Sequence, residues 1–310
     1  MEPIIDRIRT KAEQLLNAKV DEIRKVENVP NNTVYKLWAR NKPYIFKIYK
    51  QRNWPEDRKL LFVNRQLNEQ QIGCAAIIEF DRNDPHFHTG YVLEACLPGK
   101  TADQIVFNEQ TGLAFYEKLA RLVSRIHKIP IPNFGYIGGG IAGYPSLVDF
   151  VSDEFDERAK NLINKRLFDT TSLLEIKNMV TDQLRLCDGH PSVLCHGDLT
   201  TKNVIIDEQG ELTLIDWDDA MSYNWIADLS RMTYWMKFKY TADENKRYRA
   251  CFMEHYTTDC RKSDFYQFEN LFHVWIGLDF LNYYANRPQY EDTMRFFKET
   301  VKQLNRKQDR

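Results

Sequence analysis

His196-Gly197-Asp198-Leu199-Thr200-Thr201-Lys202-Asn203 is the stretch on which the reading of this chain turns, together with Ile215-Asp216-Trp217-Asp218 a little further on. Oxygen-bearing side chains recur at fixed offsets. Asp198 is followed by Asn203 five residues later, then by two short apolar runs at 204–206 and 212–215 folded about the turn Asp207-Glu208-Gln209-Gly210, and then by Asp216. Carboxylate and amide oxygens are hard donors, suited to Mg²⁺ and to orienting a nucleophile.

Phosphoryl transfer asks a protein for little covalent chemistry. It needs oxygen ligands for Mg²⁺, a carboxylate that positions or deprotonates the attacking hydroxyl, and a cation on the phosphates. Protein kinases place an Asp, an Asn after four intervening residues, and a second metal-binding Asp on the turn beyond, and the spacing here repeats that logic with different neighbours. Taken alone, an Asp and an Asn five residues apart are ordinarily a solvated loop pair. The added His196, Gly197, strand pair and Trp217 make the pattern specific.

Working outward, 310 residues exceed what one hydrophobic core usually serves, so two lobes are expected, with a ligand cleft as their natural product. Apolar residues at 43 % and charged residues at 28 % exclude a disordered or fibrous chain. The 43 basic residues nearly balance the 44 acidic ones, so no net field draws in nucleic acid or an anionic membrane. No run approaches the roughly 18 apolar residues of a membrane span. The start Met1-Glu2-Pro3-Ile4-Ile5-Asp6 lacks the form of a signal peptide, and six cysteines are scattered through the chain, which together predict a cytoplasmic protein with free thiols.

Periodicity predicts an amphipathic helix over 4–19, strands over 33–38 and 44–49 joined by Ala39-Arg40-Asn41-Lys42-Pro43, a helix over 55–71 stopped by Gly73, and strands over 75–80 and 91–96. This is a small, mostly antiparallel sheet with one helix. Leu97-Pro98-Gly99-Lys100 marks the boundary between a lobe of residues 1–97 and one of residues 98–310. The second opens on a helix over 111–127, continues through a loop over 130–145 holding Gly138-Gly139-Gly140, and is otherwise mainly helical.

From about residue 26 to 290 the chain resembles the aminoglycoside phosphotransferase and choline kinase superfamily, marked by His-Gly-Asp-x-x-x-x-Asn followed by Ile-Asp-Trp or Ile-Asp-Phe. The resemblance implies an α+β, bilobal, protein-kinase-like fold with a small antiparallel-sheet N-terminal lobe and a larger, mainly helical C-terminal lobe. It implies that Asp198 is the catalytic base, that Asn203 and Asp216 are Mg²⁺ ligands, and that His196 is structural. Lys47, in Tyr44-Ile45-Phe46-Lys47-Ile48-Tyr49, would bind nucleotide phosphates. Asn32 and Thr33, in Asn31-Asn32-Thr33-Val34-Tyr35, would form the phosphate loop, and the backbone at Glu94 and Cys96 would face the adenine. Asp228 would support the catalytic loop. The implied activity is a small-molecule kinase using ATP or GTP, its acceptor an aminoglycoside or other antibiotic, or else choline, ethanolamine or a sugar; Gly197, where the choline branch tends to carry Asn, leans toward the antibiotic branch.

The chain departs from that pattern in two places. The expected phosphate loop is poor in glycine, and the helix over 55–71 offers no glutamate at 59–66 to pair with Lys47, leaving Glu56, Asp57 and Glu69 as nearby choices. These departures motivate a rival reading, a nucleotide-binding module without transfer activity. A zinc site at Cys187, His190, Cys195 and His196 lacks a Cys-x-x-Cys pair. The aromatic residues from Tyr234 to Tyr240 and from Phe272 to Tyr284 have helical spacing and read mostly as core. Asp218, Asp219 and Asp279 read as solvated carboxylates, or as partners for a cationic acceptor.

Overall fold

Along residues 32–39 the chain buries Tyr35, Leu37 and Ala39 on one face, the period of two that places a strand on a core. The computed structural model describes residues 3–27, 29, 31–140, 142–187 and 189–308. The outermost two positions at each end, expected within the two lobes, and Ile141, expected in the 130–145 loop, lie outside the described residues.

In chain order the elements are α1 (Ile4–Leu16), β1 (Val20–Val26), β2 (Asn32–Ala39), β3 (Lys42–Tyr49), α2 (Lys59–Glu69), β4 (Ile77–Asp81), β5 (Tyr91–Ala95), β6 (Lys100–Thr101), α3 (Glu109–Ile126) and β7 (Gly135–Tyr136). They continue as α4 (Leu147–Asn164), α5 (Thr170–Arg185), β8 (Val193–Cys195), β9 (Val204–Ile206), β10 (Leu212–Leu214), β11 (Met221–Tyr223), α6 (Trp225–Lys239), α7 (Ala242–His255), α8 (Ser263–Tyr284) and α9 (Tyr290–Gln308). They form two compact units. The first comprises Met1–Ile105, Gly138–Gly140 and Thr201–Asp219, and the second Val106–Ile137, Ile141–Thr200 and Ala220–Arg310.

The first unit is built on an antiparallel sheet of order β1-β2-β3-β5-β4. One of its faces carries the apolar core. Phe46 stacks on Tyr91 with centroids 4.9 Å apart, touches Phe87 at 5.2 Å, and joins Leu37, Leu93 and the Ile8–Ala12 face of α1. Successive side chains of a strand point to opposite faces, so the burial of Phe46 in this core sends its neighbour Lys47 to the other one.

β1 escapes prediction because four of its seven residues, Asp21, Glu22, Arg24 and Lys25, are charged; it is an edge strand, where charge is favoured. Helix α2 is shorter than the expected 55–71. Arg58 and Gln71 take φ of 62° and 53°, left-handed conformations that interrupt a right-handed helix at either end.

In the second unit β7, β11 and β8 form a small sheet of order β7-β11-β8, and helices supply most of the rest. The 130–145 stretch is not wholly loop, since it contributes β7 and a bridge between Phe134 and Tyr144. Asn108 and Thr111 cap α3 reciprocally, which explains its start at Glu109. Helix α8 is apolar nearly all round and is the most buried of the described helices, as expected of a helix surrounded by others. No helix among the described residues is long and apolar enough to cross a membrane.

Because Phe46 is wholly buried against two aromatic rings, Phe46→Ala is expected to destabilise the protein by about 3–5 kcal/mol in urea unfolding. A loss below about 1 kcal/mol would contradict the packing described, because it is less than the transfer term of the deleted ring alone.

Candidate active site

The hairpin of β9 and β10 brings two of the expected residues together. Val204 faces Leu214 in the ladder, and the Ile215 N–H donates to the Asn203 carbonyl at 2.9 Å, so Asn203 and Asp216 leave the hairpin side by side at its open end. Asp216 has φ of 62°, a left-handed conformation that is costly for a residue with a Cβ and that clusters at functional sites. Asn203 is buried, whereas the Asp216 side chain is half exposed.

Lys47 arrives at the same place from β3. Its Nζ lies 2.8 Å from Asp216 Oδ1 and 3.0 Å from each carboxylate oxygen of Asp218. Burial alone would lower the lysine's pKa, but Asp216 and Asp218 more than offset it and hold the ammonium well above its usual value. Asp218 is pushed up to about 6, by burial first and then by the neighbouring Asp216, against the pull of Lys47. Glu94, on the same sheet face, is pushed up to about 7 by burial, again against Lys47. Three carboxylates thus gather round one ammonium, leaving an excess of negative charge and of hard oxygen donors.

That excess is what a divalent cation would neutralise, so the residues fit Mg²⁺, with Asn203 and the exposed Asp216 as the ligands suited to it. A pocket beside them is lined by Lys47, Leu60, Asn64, Glu94, Asp216 and Asp218.

None of the three acids considered from the helix region supplies the lysine's partner. Glu56 pairs with Lys59, Asp57 lies 4.0 Å from Arg58, and Glu69 lies 3.8 Å from Arg65. Asp218 takes that part instead, and it is buried rather than solvated. Lys59 is wholly buried and donates to the Asp218 carbonyl at 3.1 Å.

The expected phosphate loop, 31–35, lies inside β2 from Asn32 onward. Asn32 and Thr33 sit inside β2, paired with Tyr49 and Ile48, and the Asn32 side chain donates to Asp218 Oδ2 at 3.1 Å. At the end of β5 the Glu94 side chain turns into the pocket, while the Cys96 N–H, expected to face the adenine, donates to the Pro43 carbonyl at 3.1 Å.

In the second unit the loop carrying Asp198 is fixed by Asp228 of α6. The amides of His196 and Gly197 each donate to that carboxylate at 2.9 Å, and His127 Nε2 lies 3.1 Å from it. Burial would raise the pKa of Asp228; His127 and the amides outweigh it and hold the carboxyl below its usual value. His196 is buried and its Nδ1 accepts from the Asp198 N–H at 3.3 Å, which makes it a scaffold residue.

Asp198 itself lies 3.6 Å from Arg231 Nε. Asp279, considered as a partner for a cationic acceptor, sits 3.0 Å from Arg158 and 3.9 Å from Arg231. Cys195 is buried, and burial pushes its thiol up, away from nucleophilic use. His127, Cys195 and Asp228 converge closely enough for a metal, but the oxygens of Asp228 are already held by the two amides and His127. Sequence reasoning read Asp218 as a solvated carboxylate or a partner for a cationic acceptor and passed over Lys59 and Arg231; the acid-rich run after Trp217 was the one signal for the first.

Residues 22–265 match the model of the phosphotransferase enzyme family. No curated protein sequence matches the chain. Among solved structures, aminoglycoside phosphotransferase APH(4)-Ia is similar with a TM-score of 0.73 at 14 % identity, over 97 % of this chain and 98 % of that one. A thermostable mutant of that enzyme has been solved with ADP and hygromycin B. The choline kinase LicA from Streptococcus pneumoniae gives 0.66 at 18 % identity, over 97 % and 99 %. A Plasmodium vivax ethanolamine kinase gives 0.67 at 18 %, over 94 % and 85 %. At such identities the likeness establishes the fold, which is the kinase-like fold with an antiparallel-sheet N-terminal part and a helical C-terminal part.

The raised Glu94 fixes the sign of a pH effect. Its folded pKa, about 7, lies above the ordinary 4.5, so its contribution to stability falls as pH rises between those values. Glu94→Gln removes the buried charge, and the variant is expected to melt a few degrees above wild type at pH 8, with the gap closing below about pH 4.5. Equal melting at pH 8 would contradict the assignment.

Proposed function

Because the chain belongs to the phosphotransferase enzyme family, we propose that it is a small-molecule kinase that transfers the γ-phosphate of ATP or GTP to a hydroxyl. The observation that carries this reading is the meeting of Lys47, Asn203 and Asp216 at one hairpin mouth, with a carboxylate excess that suits a metal nucleotide. The complex of a similar fold with ADP and hygromycin B supports a nucleotide donor and a small acceptor.

In this reading residues 1–97 form the nucleotide lobe and 98–310 carry the catalytic loop and acceptor site. Lys47 orients the α- and β-phosphates, and Asn203 and Asp216 hold Mg²⁺. When bound, the ion supplies charge neutralisation on the phosphate oxygens. The base lies along the strand end from Glu94 to Cys96, and the phosphates near Asn32 and Thr33. Asp198 accepts the proton of the acceptor hydroxyl as its oxygen bonds to the γ-phosphorus; the bond from that phosphorus to the β–γ bridging oxygen breaks, and the nucleoside diphosphate leaves. Positioning and electrostatics supply most of the rate.

The rival reading, a binding module without transfer, rested partly on the missing helix glutamate. Asp218 now supplies the lysine's counter-ion, which removes that motive. An aminoglycoside or other antibiotic is the first acceptor class to try, followed by choline, ethanolamine and sugars.

The test is a mass-spectrometric screen of these hydroxyl compounds with Mg²⁺-ATP and Mg²⁺-GTP. A phosphorylated product is expected in one class, and nucleotide binding without product in any class would favour the binding module. Asp198→Ala is expected to lower turnover by roughly 10²–10⁴ while the nucleotide still binds. Turnover near wild type in that variant would overturn the mechanism.

A further inference from the structure

Asp218 lies at the centre of a buried polar cluster that the motif does not account for. Both of its carboxylate oxygens lie 3.0 Å from Lys47 Nζ, Oδ2 also accepts from Asn32 Nδ2 at 3.1 Å, and Tyr49 OH is 3.5 Å from Oδ1. Its carbonyl accepts from Lys59 Nζ at 3.1 Å. Strands β2 and β3 and helix α2 therefore meet on one residue, which is 6 % exposed.

The Lys59 end is built with equal care. Its side chain is 0 % exposed, its ammonium sits 4.0 Å from the centre of the Trp54 ring, and it pairs with Glu56. An ammonium withdrawn from water persists only when its partners are well placed, and burial lowers the pKa of this one despite them.

The two carboxylates on Lys47 also differ. Asp216 is half exposed, with 48 % of its side chain accessible, so it can turn to another partner, whereas Asp218 has 8 % and cannot. With Asp216 engaged elsewhere, Lys47 keeps Asp218 as counter-ion and keeps its aim.

We propose that Asp218 is the positioning residue for Lys47, and that helix α2 holds it in place through Lys59, so that the helix acts on nucleotide binding by donating a cation to a carbonyl. This rests on the kinase reading above. The polarity is opposite to that of a helix glutamate paired directly with the strand lysine: here the helix supplies the positive charge, and the negative one comes from the segment after β10.

Two measurements test it. In calorimetric titrations of ADP with Mg²⁺, Asp218→Asn and Lys59→Met are each expected to weaken binding about 10–100-fold, the range seen for groups that orient ligands from behind. Because the two residues act in series, the double variant should lose little more than the worse single one. Binding within about threefold of wild type in both single variants, or losses that simply add in the double, would overturn the proposal.

The second measurement uses the wild type and does not depend on a variant folding. Coupling is reciprocal, so Mg²⁺-ADP should slow amide hydrogen exchange across Lys59–Glu69. Bound nucleotide with unchanged exchange in that helix would overturn the proposal and leave the kinase reading standing. A wild type that binds no Mg²⁺-ADP would overturn both.

Discussion

The polar face of the sheet in the first unit is arranged around the buried ammonium of Lys47. Lys47 sits on β3 with the side-chain accessibility of a core residue, and the contact of its Nζ with Asp216 and Asp218 is what makes that burial tolerable. A lysine alone at such a position would lose its proton or leave the site. The fold brings its counter-charges from a segment some 170 residues away, and it can do so because the β9–β10 hairpin packs into this unit rather than with its sequence neighbours. Removing Asp218, the buried partner, would cost several kcal/mol, most of it the penalty of leaving the Lys47 charge uncompensated.

A second constraint, of the same kind and independent of the first, governs the second unit. Asp228 is buried and ionised because two backbone amides and His127 converge on it. The geometry it enforces is that of the His196-Gly197-Asp198 loop, where Gly197 takes φ of 79°, open to glycine at no cost. In both units a charge that would be unstable alone is held by the chemistry around it, and a residue of the proposed site is held with it: Asp216 beside Lys47, and Asp198 beside the anchored amides.

Much of this was legible in the sequence, for a physical reason. The offsets from Asp198 to Asn203 and from Asn203 to Asp216 are set by a tight turn and a short hairpin, which are local structures, and the strands at 204–206 and 212–214 were found almost to the residue. The strands expected over 33–38 and 44–49 were equally local, and they stand as β2 and β3. What stayed hidden depends on long-range packing. Lys59, following the charged run Glu56-Asp57-Arg58, reads as a solvated side chain until Trp54 and the Asp218 carbonyl cover it. Asp218 looks like one more acid in a polar run until strands β2 and β3 close over it. The edge strand β1 carried too much charge to be seen, and the exact start of β2 decides whether Asn32 and Thr33 belong to a loop or to a ladder.

In the proposed function, Lys47, Asn203 and Asp216 together receive a metal nucleotide. Calorimetric titration of wild-type protein with ADP, in Mg²⁺ and again with the metal chelated, tests it most directly. Saturable binding in Mg²⁺ that weakens at least tenfold on chelation is expected, since the excess carboxylate charge would then face the phosphates unneutralised. No binding in either condition, or binding indifferent to Mg²⁺, would contradict it.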